Sequence, residues 1–233
     1  MEILEKARDI VKPKYDTLDC WVHSWPHVER VSANTNLVAR EEGYSGQDYI
    51  NCMLAAYCHD LGRIEEEARK QRRDSPLPHA LLSIEPTTQV LRELEIFGVD
   101  FGKIVEAVAI HSYRIYEGDN EVAKVLQDAD KMNGFGPFGI IGSVKYFGGR
   151  DYVNPDEVVR NMDDRDKLHE LCLESLREID NEEVKAKTLW GLRFVIEWYD
   201  MLHTESAKTL IWEEYKYTLD IRDFLSQMPE NYP

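Results

Sequence analysis

The residues most able to do chemistry are a run, Cys58-His59-Asp60-Leu61-Gly62, and a set of histidines and aspartates spread around it in the chain. An imidazole nitrogen and a carboxylate oxygen stand side by side at His59-Asp60, at the end of an apolar stretch that glycine then stops. That is half of a divalent-metal site. A catalytic divalent ion needs neutral imidazoles, anionic carboxylates and a position left for water, which it acidifies toward neutral pH. His27, His79, His111 and Asp130 are candidates for the other half. His27, His59, Asp60 and one acid of the Asp128/Asp130 pair would supply two nitrogens and two oxygens, with room for water in an octahedral shell. At about 100° per residue the two acids lie about 160° apart on a helix, so both are not expected on one ion. Measured from the stripe Val122, Val125, Leu126 and Ala129, Asp130 falls nearer the buried side and Asp128 reads as a supporting or surface carboxylate. Mixed nitrogen and oxygen ligation leaves Mn²⁺, Fe²⁺, Co²⁺, Ni²⁺, Zn²⁺ and Mg²⁺ open, with one or two ions.

The elements that must position these groups all read as helices. Residues 2–11 predict a short helix ended by Pro13. Val28, Val31, Thr35 and Val38 recur at helical spacing after Pro26, which is tolerated in a first turn, so His27 sits at a helix start. Ile50, Met53, Leu54, Tyr57, Cys58 and Leu61 mark the stripe of a helix over about 46–61 that delivers His59 and Asp60. Residues 63–75 alternate acid and base, as in Glu65/Arg69 and Glu66/Lys70, which fits a solvated helix or, next to the site, a mobile basic lid. His79 opens a stretch that Pro86 kinks or restarts, with Val90, Leu91, Leu94 and Phe97 as its buried face. Residues 100–112 end on His111. A helix through Val122 to Ala129 delivers Asp130-Lys131, and the glycine-rich Gly134–Gly149 suits a close-packed turn and short helix. Residues 155–181 and 183–228 read as three more helices, the middle one apolar on most sides and so either central or an interface between copies of the chain. No stretch alternates convincingly as a strand, so the expected class is all-α.

Several of these motifs together resemble the HD superfamily of metal-dependent phosphohydrolases. His23-Ser24-Trp25-Pro26-His27-Val28-Glu29-Arg30-Val31 is similar to the family's first histidine motif, and Leu54-Ala55-Ala56-Tyr57-Cys58-His59-Asp60-Leu61-Gly62 to its name-giving pair. Leu126-Gln127-Asp128-Ala129-Asp130-Lys131-Met132, with the glycine-rich turn after it, looks like the third motif of a small bacterial and archaeal subgroup. Leu202-His203-Thr204-Glu205-Ser206-Ala207 resembles that subgroup too. The resemblance implies an HD-type helical bundle with added C-terminal helices, a metal held by His27, His59, Asp60 and Asp130, and the second acid of the pair as the ligand. It implies that Asp60, His79 and His111 take part in catalysis, the two histidines binding a second ion or facing the substrate phosphate; the alternative for each is a core or surface histidine. His23, Arg63 and Lys131 are substrate-side candidates, the last two because positioned cations stabilise a phosphoryl transition state. Pro26 interrupts the i, i+4 relation of His23 to His27, so the two are not expected to share a helix face.

Composition bounds the rest. With 233 residues the chain is expected to form one domain, a metal-binding core over about 20–150 and a helical extension over about 151–233. A net charge of −16, from 28 basic and 44 acidic residues, argues against a nucleic-acid polymer or an anionic membrane as partner. Cys20, Cys52, Cys58 and Cys172 show no C-x-x-C pair, the usage of a reducing compartment; with no signal-peptide or membrane-span pattern, the expected location is cytoplasmic. Gly134-Phe135-Gly136-Pro137-Phe138-Gly139 satisfies G-x-G-x-x-G but follows a helix and carries proline where a backbone donor would help, so no dinucleotide site is expected. The expected activity is metal-dependent hydrolysis of a small phosphorylated metabolite, with a nucleotide favoured by the resemblance. The alternatives are a di-iron oxygenase on the same ligands and a nucleotide-binding sensor without turnover.

Overall fold

The computed structural model describes residues 2–18, 21–95 and 98–227, and among them regular structure is helical throughout, with no strand. No helix of the described residues is long and apolar enough to cross a membrane. The chain divides into two compact units, Met1–Asp130 with His203–Ala207, and Lys131–Leu202 with Lys208–Pro233.

The first unit is built around α3 (Gly46–Cys58), which packs against α1 (Glu2–Tyr15), α2 (Trp25–Glu41), α6 (Ile84–Glu93) and α7 (Phe101–Ile110). Its buried residues Asn51, Cys52, Met53, Leu54, Ala55, Ala56 and Cys58 wrap most of the circumference, which is what a helix enclosed by neighbours requires. Small residues at 55 and 56 let the surrounding helices approach. α4 (Arg63–Arg72) has no buried residue, and its charges pair along the surface, Glu65 with Arg69 at 3.1 Å and Glu66 with Lys70 at 3.7 Å. It is the solvated helix of the two expectations for that segment. α5 (His79–Leu82) is one turn, broken from α6 at Ser83, and Pro86 lies in the first turn of α6, where its missing N–H costs nothing. α8 (Glu121–Met132) carries the aspartates.

The second unit packs α9 (Gly136–Gly148) against α11 (Arg165–Arg177) and α12 (Glu182–Trp198). Gly149 closes α9 in the left-handed conformation at φ +69°, with its N–H bonded to the Lys145 carbonyl. α12 is not central: Val184, Thr188, Gly191, Leu192 and Val195 are buried, while Trp190 and Phe194 face outward at 61% and 39% exposure.

Two expectations about the elements are corrected. Pro13 does not end the first helix. α1 continues to Tyr15, because Val11 and Tyr15 are both fully buried and their packing outweighs the one backbone bond proline forfeits in a last turn. Residues 155–181 form two helices, α10 (Pro155–Arg160) and α11, separated where the Asp164 carboxylate caps α11 by accepting from the Lys167 N–H. After α12 the chain makes a 3₁₀ turn (Tyr199–Met201) and then α13 (Glu205–Gln227), so the segment beyond 155 holds four α-helices rather than three. Cys52, Cys58 and Cys172 are buried and unpaired, each thiol pushed up to about 12 by burial. Cys20 and Phe97 lie outside the described residues.

Candidate metal centre

His59 is the residue after α3, and the local backbone explains how its ring is aimed. Its Nδ1 lies 2.7 Å from the Ala56 carbonyl, which can only accept, so Nδ1 carries the proton and Nε2 presents a lone pair. His111, the residue after α7, repeats the device with Nδ1 2.7 Å from the Val108 carbonyl. Each helix end thus supplies its own orienting acceptor, one of the last carbonyls that lack a helical partner.

The Nε2 atoms converge on Asp60, which is 1% exposed. On one side, His27 Nε2 lies 3.1 Å from His59 Nε2 and 3.5 Å from Asp60 Oδ2, with His59 Nε2 3.8 Å from the same oxygen. On the other, His79 Nε2 and His111 Nε2 lie 3.3 and 3.4 Å from Asp60 Oδ1 and 3.2 Å from each other. Ligand atoms about 2.1 Å from one ion are roughly 3.0 Å apart at right angles and roughly 3.4 Å apart at the tetrahedral angle, so Asp60/His79/His111 has the spacing of cis ligands and His27/His59/Asp60 is a few tenths of an ångström wider. Each trio, His27/His59/Asp60 and Asp60/His79/His111, has all its donor atoms within 4.8 Å of one another. Asp60 Oδ1 is buried without a hydrogen-bond partner, and the Nε2 atoms of His79 and His111 face it. A carboxylate oxygen left unpartnered in the interior calls for a positive charge beside it. The residues present therefore fit a divalent cation.

The electrostatics keep Asp60 ionised and His27, His59 and His79 neutral. Burial lowers His27 and His79 to about 4 each, and lowers His59, so those imidazoles are neutral near pH 7. Burial opposes charge on Asp60, but Arg63 and the surrounding imidazoles outweigh it and hold the carboxyl well below its usual range. Burial likewise opposes charge on His111, yet the Asp60 carboxylate raises it.

Asp130, at the end of α8 with a side chain 26% exposed, places Oδ1 3.5 Å from His27 Nε2. Burial would raise it, and the imidazoles of His59, His27 and His111 hold it below the usual value. Asp128 is fully buried and engaged elsewhere. Its Oδ1 accepts from the His203 N–H at 2.7 Å, and its Oδ2 from the Thr204 N–H and hydroxyl at 2.9 and 2.8 Å. The helical turn between the two acids thus sends one to the histidines and the other to the start of α13. His23 precedes α2 rather than sharing its face, but its ring still lies 6.2 Å, centroid to centroid, from that of His27; burial first, then Arg63, lowers it to about 3. Arg63 holds Asp60 Oδ2 at 3.3 Å and Glu66 at 3.1 Å, so its guanidinium is braced on a ligand. Lys131 is buried on α8.

Supporting residues that no local motif reveals complete the centre. Ser83 Oγ donates to the His79 carbonyl at 2.9 Å and accepts from the Gly62 N–H at 2.8 Å, tying the His59-Asp60 turn to the helix of His79. A Cβ on Gly62 would meet the His79 carbonyl oxygen at 2.1 Å, so glycine is what allows that approach. Gln127 donates to the carbonyls of Ile110 and Tyr113 on either side of His111, and its Oε1 faces His203 Nε2 at 2.9 Å. A signal for the last contact existed in the polar run His203-Thr204 before an amphipathic helix, but nothing in it names a partner.

A helical unit carrying a histidine at one helix start, a His-Asp pair at another helix end and a later aspartate defines a class, the HD domain. Residues 25–133 match the HD domain family model, so that segment is an HD domain. Among solved structures it is similar to Bacillus subtilis YpgQ, at 21% identity, 99% of each chain and a TM-score of 0.62, and to the same protein in complex with ADP, at 21%, 98% and 96%, and 0.57. It is also similar to a predicted HD superfamily hydrolase from an uncultured Thermotogales bacterium, at 18% identity, 97% of this chain and 91% of that one, with a TM-score of 0.55. No curated protein matches the chain.

Proposed function

We propose that the protein is a divalent-metal-dependent phosphohydrolase acting on a small phosphorylated metabolite, with a nucleotide as the preferred class. The observation that carries this reading is the Asp60 carboxylate, buried between two pairs of imidazoles with Oδ1 lacking any hydrogen bond. His27, His59, Asp60 and Asp130 would hold one ion; His79 and His111, across Asp60, would hold a second or face the substrate phosphate. A bound divalent cation supplies Lewis acidity toward a phosphoryl oxygen and acidifies water. The chain's own residues do the remainder. Arg63 orients Asp60 and adds positive charge beside it in a molecule that is acidic overall. Partly exposed His79 would accept or return a proton at the substrate phosphate. The similar fold of YpgQ, which holds ADP in one structure, supports nucleotides as the first substrates to try.

The test is a screen of phosphomonoesters and nucleotides across Mn²⁺, Co²⁺, Ni²⁺, Zn²⁺ and Mg²⁺, run beside His59→Ala. Metal-dependent release of phosphate or pyrophosphate by the native chain, lost in the variant, is expected. Equal release from both would refute the assignment. Iron content with oxygen consumption, in place of hydrolysis, would point to an oxygenase on the same ligands.

A further inference from the structure

Tyr15 lies outside the segment that matches the HD domain model, yet it touches the backbone that presents the His-Asp pair. It is the last residue of α1 and is fully buried. Its hydroxyl donates to the Tyr57 carbonyl at 3.1 Å and accepts from the Asp60 N–H at 3.2 Å. The need for this contact follows from how His59 is oriented. In a continuing helix the Asp60 N–H would bond to the Ala56 carbonyl, but that oxygen accepts from the His59 ring instead. α3 stops at Cys58, the Leu61 N–H turns to the Cys58 carbonyl, and the half-buried Tyr57 carbonyl and the buried Asp60 N–H are left without helical partners. One phenol satisfies both. The Tyr15 ring is itself fixed, 6.2 Å from that of Trp25 at the start of α2.

From this geometry we infer that Tyr15 is a positioning residue for the metal centre: its hydroxyl holds the turn open so that His59 Nε2 and the Asp60 carboxylate reach one ion. Without the hydroxyl, the Asp60 N–H regains a partner only by pulling the turn back toward helical geometry, which competes with His59 for Ala56 and swings both ligands. The inference rests on His59 and Asp60 being metal ligands, and it makes no assumption about the substrate.

The experiment measures binding of Co²⁺ and Mn²⁺ alone to the full chain, by calorimetry and by the visible spectrum of bound Co²⁺. Thermal melting in chelator is followed in parallel. Tyr15→Phe removes one oxygen and keeps the ring. It is expected to weaken metal binding about tenfold, the lower end of the loss found when a group supporting a ligand is removed, and to shift the Co²⁺ bands. Val11→Ala, at a fully buried position on the same helix, tests packing alone. It is expected to lower the melting temperature while leaving affinity and spectrum at native values. Native affinity and an unshifted spectrum in Tyr15→Phe, or an equal loss in Val11→Ala, would overturn the inference. His59→Ala separates the two levels: if it binds metal as the native chain does, the ligand assignment itself has failed, whereas loss in His59→Ala with none in Tyr15→Phe removes only the role of Tyr15.

Discussion

Replacing Asp128 with alanine should damage stability, whereas replacing Asp130 two residues on should damage metal binding. The Asp128 carboxylate is fully buried and accepts three hydrogen bonds at 2.7, 2.9 and 2.8 Å, two from backbone N–H groups and one from a hydroxyl. Thr204 Oγ1 in turn accepts from the Ala207 N–H at 3.1 Å, so the carboxylate indirectly fastens the cap of α13. A buried donor left without an acceptor costs about 1 to 3 kcal/mol. Two stranded amides, with the hydroxyl free to turn and some water entering, come to about 3 to 5 kcal/mol, a large share of the roughly 5 to 15 kcal/mol that holds a domain together. At a slope of about 3 kcal/mol per molar, the urea midpoint should fall by roughly 1 to 2 M. In Asp130→Asn the side chain is a quarter exposed and bonds no backbone amide in this way, so the midpoint in chelator should shift by less than about 1 kcal/mol equivalent. Its metal affinity should fall instead. The assay is urea unfolding in EDTA followed by circular dichroism, with metal titration of both folded variants. If Asp128→Ala unfolds at the native midpoint, or the two variants cannot be told apart, the division of labour between the aspartates is wrong.

Three further outcomes follow from the same geometry. Saturating Mn²⁺ should raise the melting temperature of the native chain, about 2.7 kcal/mol of stabilisation at a hundred times the dissociation constant, and Asp60→Ala should abolish that response; a shift that survives in the variant would place the ion elsewhere. In chelator, stability should be full above pH 6.5 and fall as the pH drops toward 4: His23, His27 and His79 titrate near 3, 4 and 4 when folded but near 6.5 when unfolded, so the unfolded chain takes up protons first. His111, raised by Asp60, offsets part of this, and urea midpoints flat from pH 7 to pH 4.5 would contradict it. Gly62→Ala should lose metal affinity as well as stability, because its Cβ would meet backbone atoms of His79, Leu82 and Ser83 at 2.1 to 2.7 Å and push the His79 helix away; calorimetry showing native affinity would count against it.

Much of the candidate site could be read from the sequence because its candidate ligands are attached to helix ends. Apolar spacing alone places His27 at a helix start and His59, His111 and Asp130 at helix ends, and the 100° step separates Asp130 from Asp128 before any contact is known. Periodicity says less where burial decides. It stops the first helix at Pro13, although the packing of Val11 and Tyr15 carries α1 two residues further, and it merges α10 with α11 across a cap that only a hydrogen bond defines.

What the sequence by itself determined is the helical class, the types of candidate ligand and the helix end on which each sits, since these depend on local spacing and on the chemistry of single side chains. Only the tertiary structure decided that one carboxylate, Asp60, lies between two imidazole pairs, that Asp128 fastens the residues before α13, and that Tyr15 reaches the turn 45 residues ahead of it. Those facts depend on which helix end packs against which, a choice made by the summed burial of the whole unit. No pair of positions in the chain carries enough of that energy to announce it.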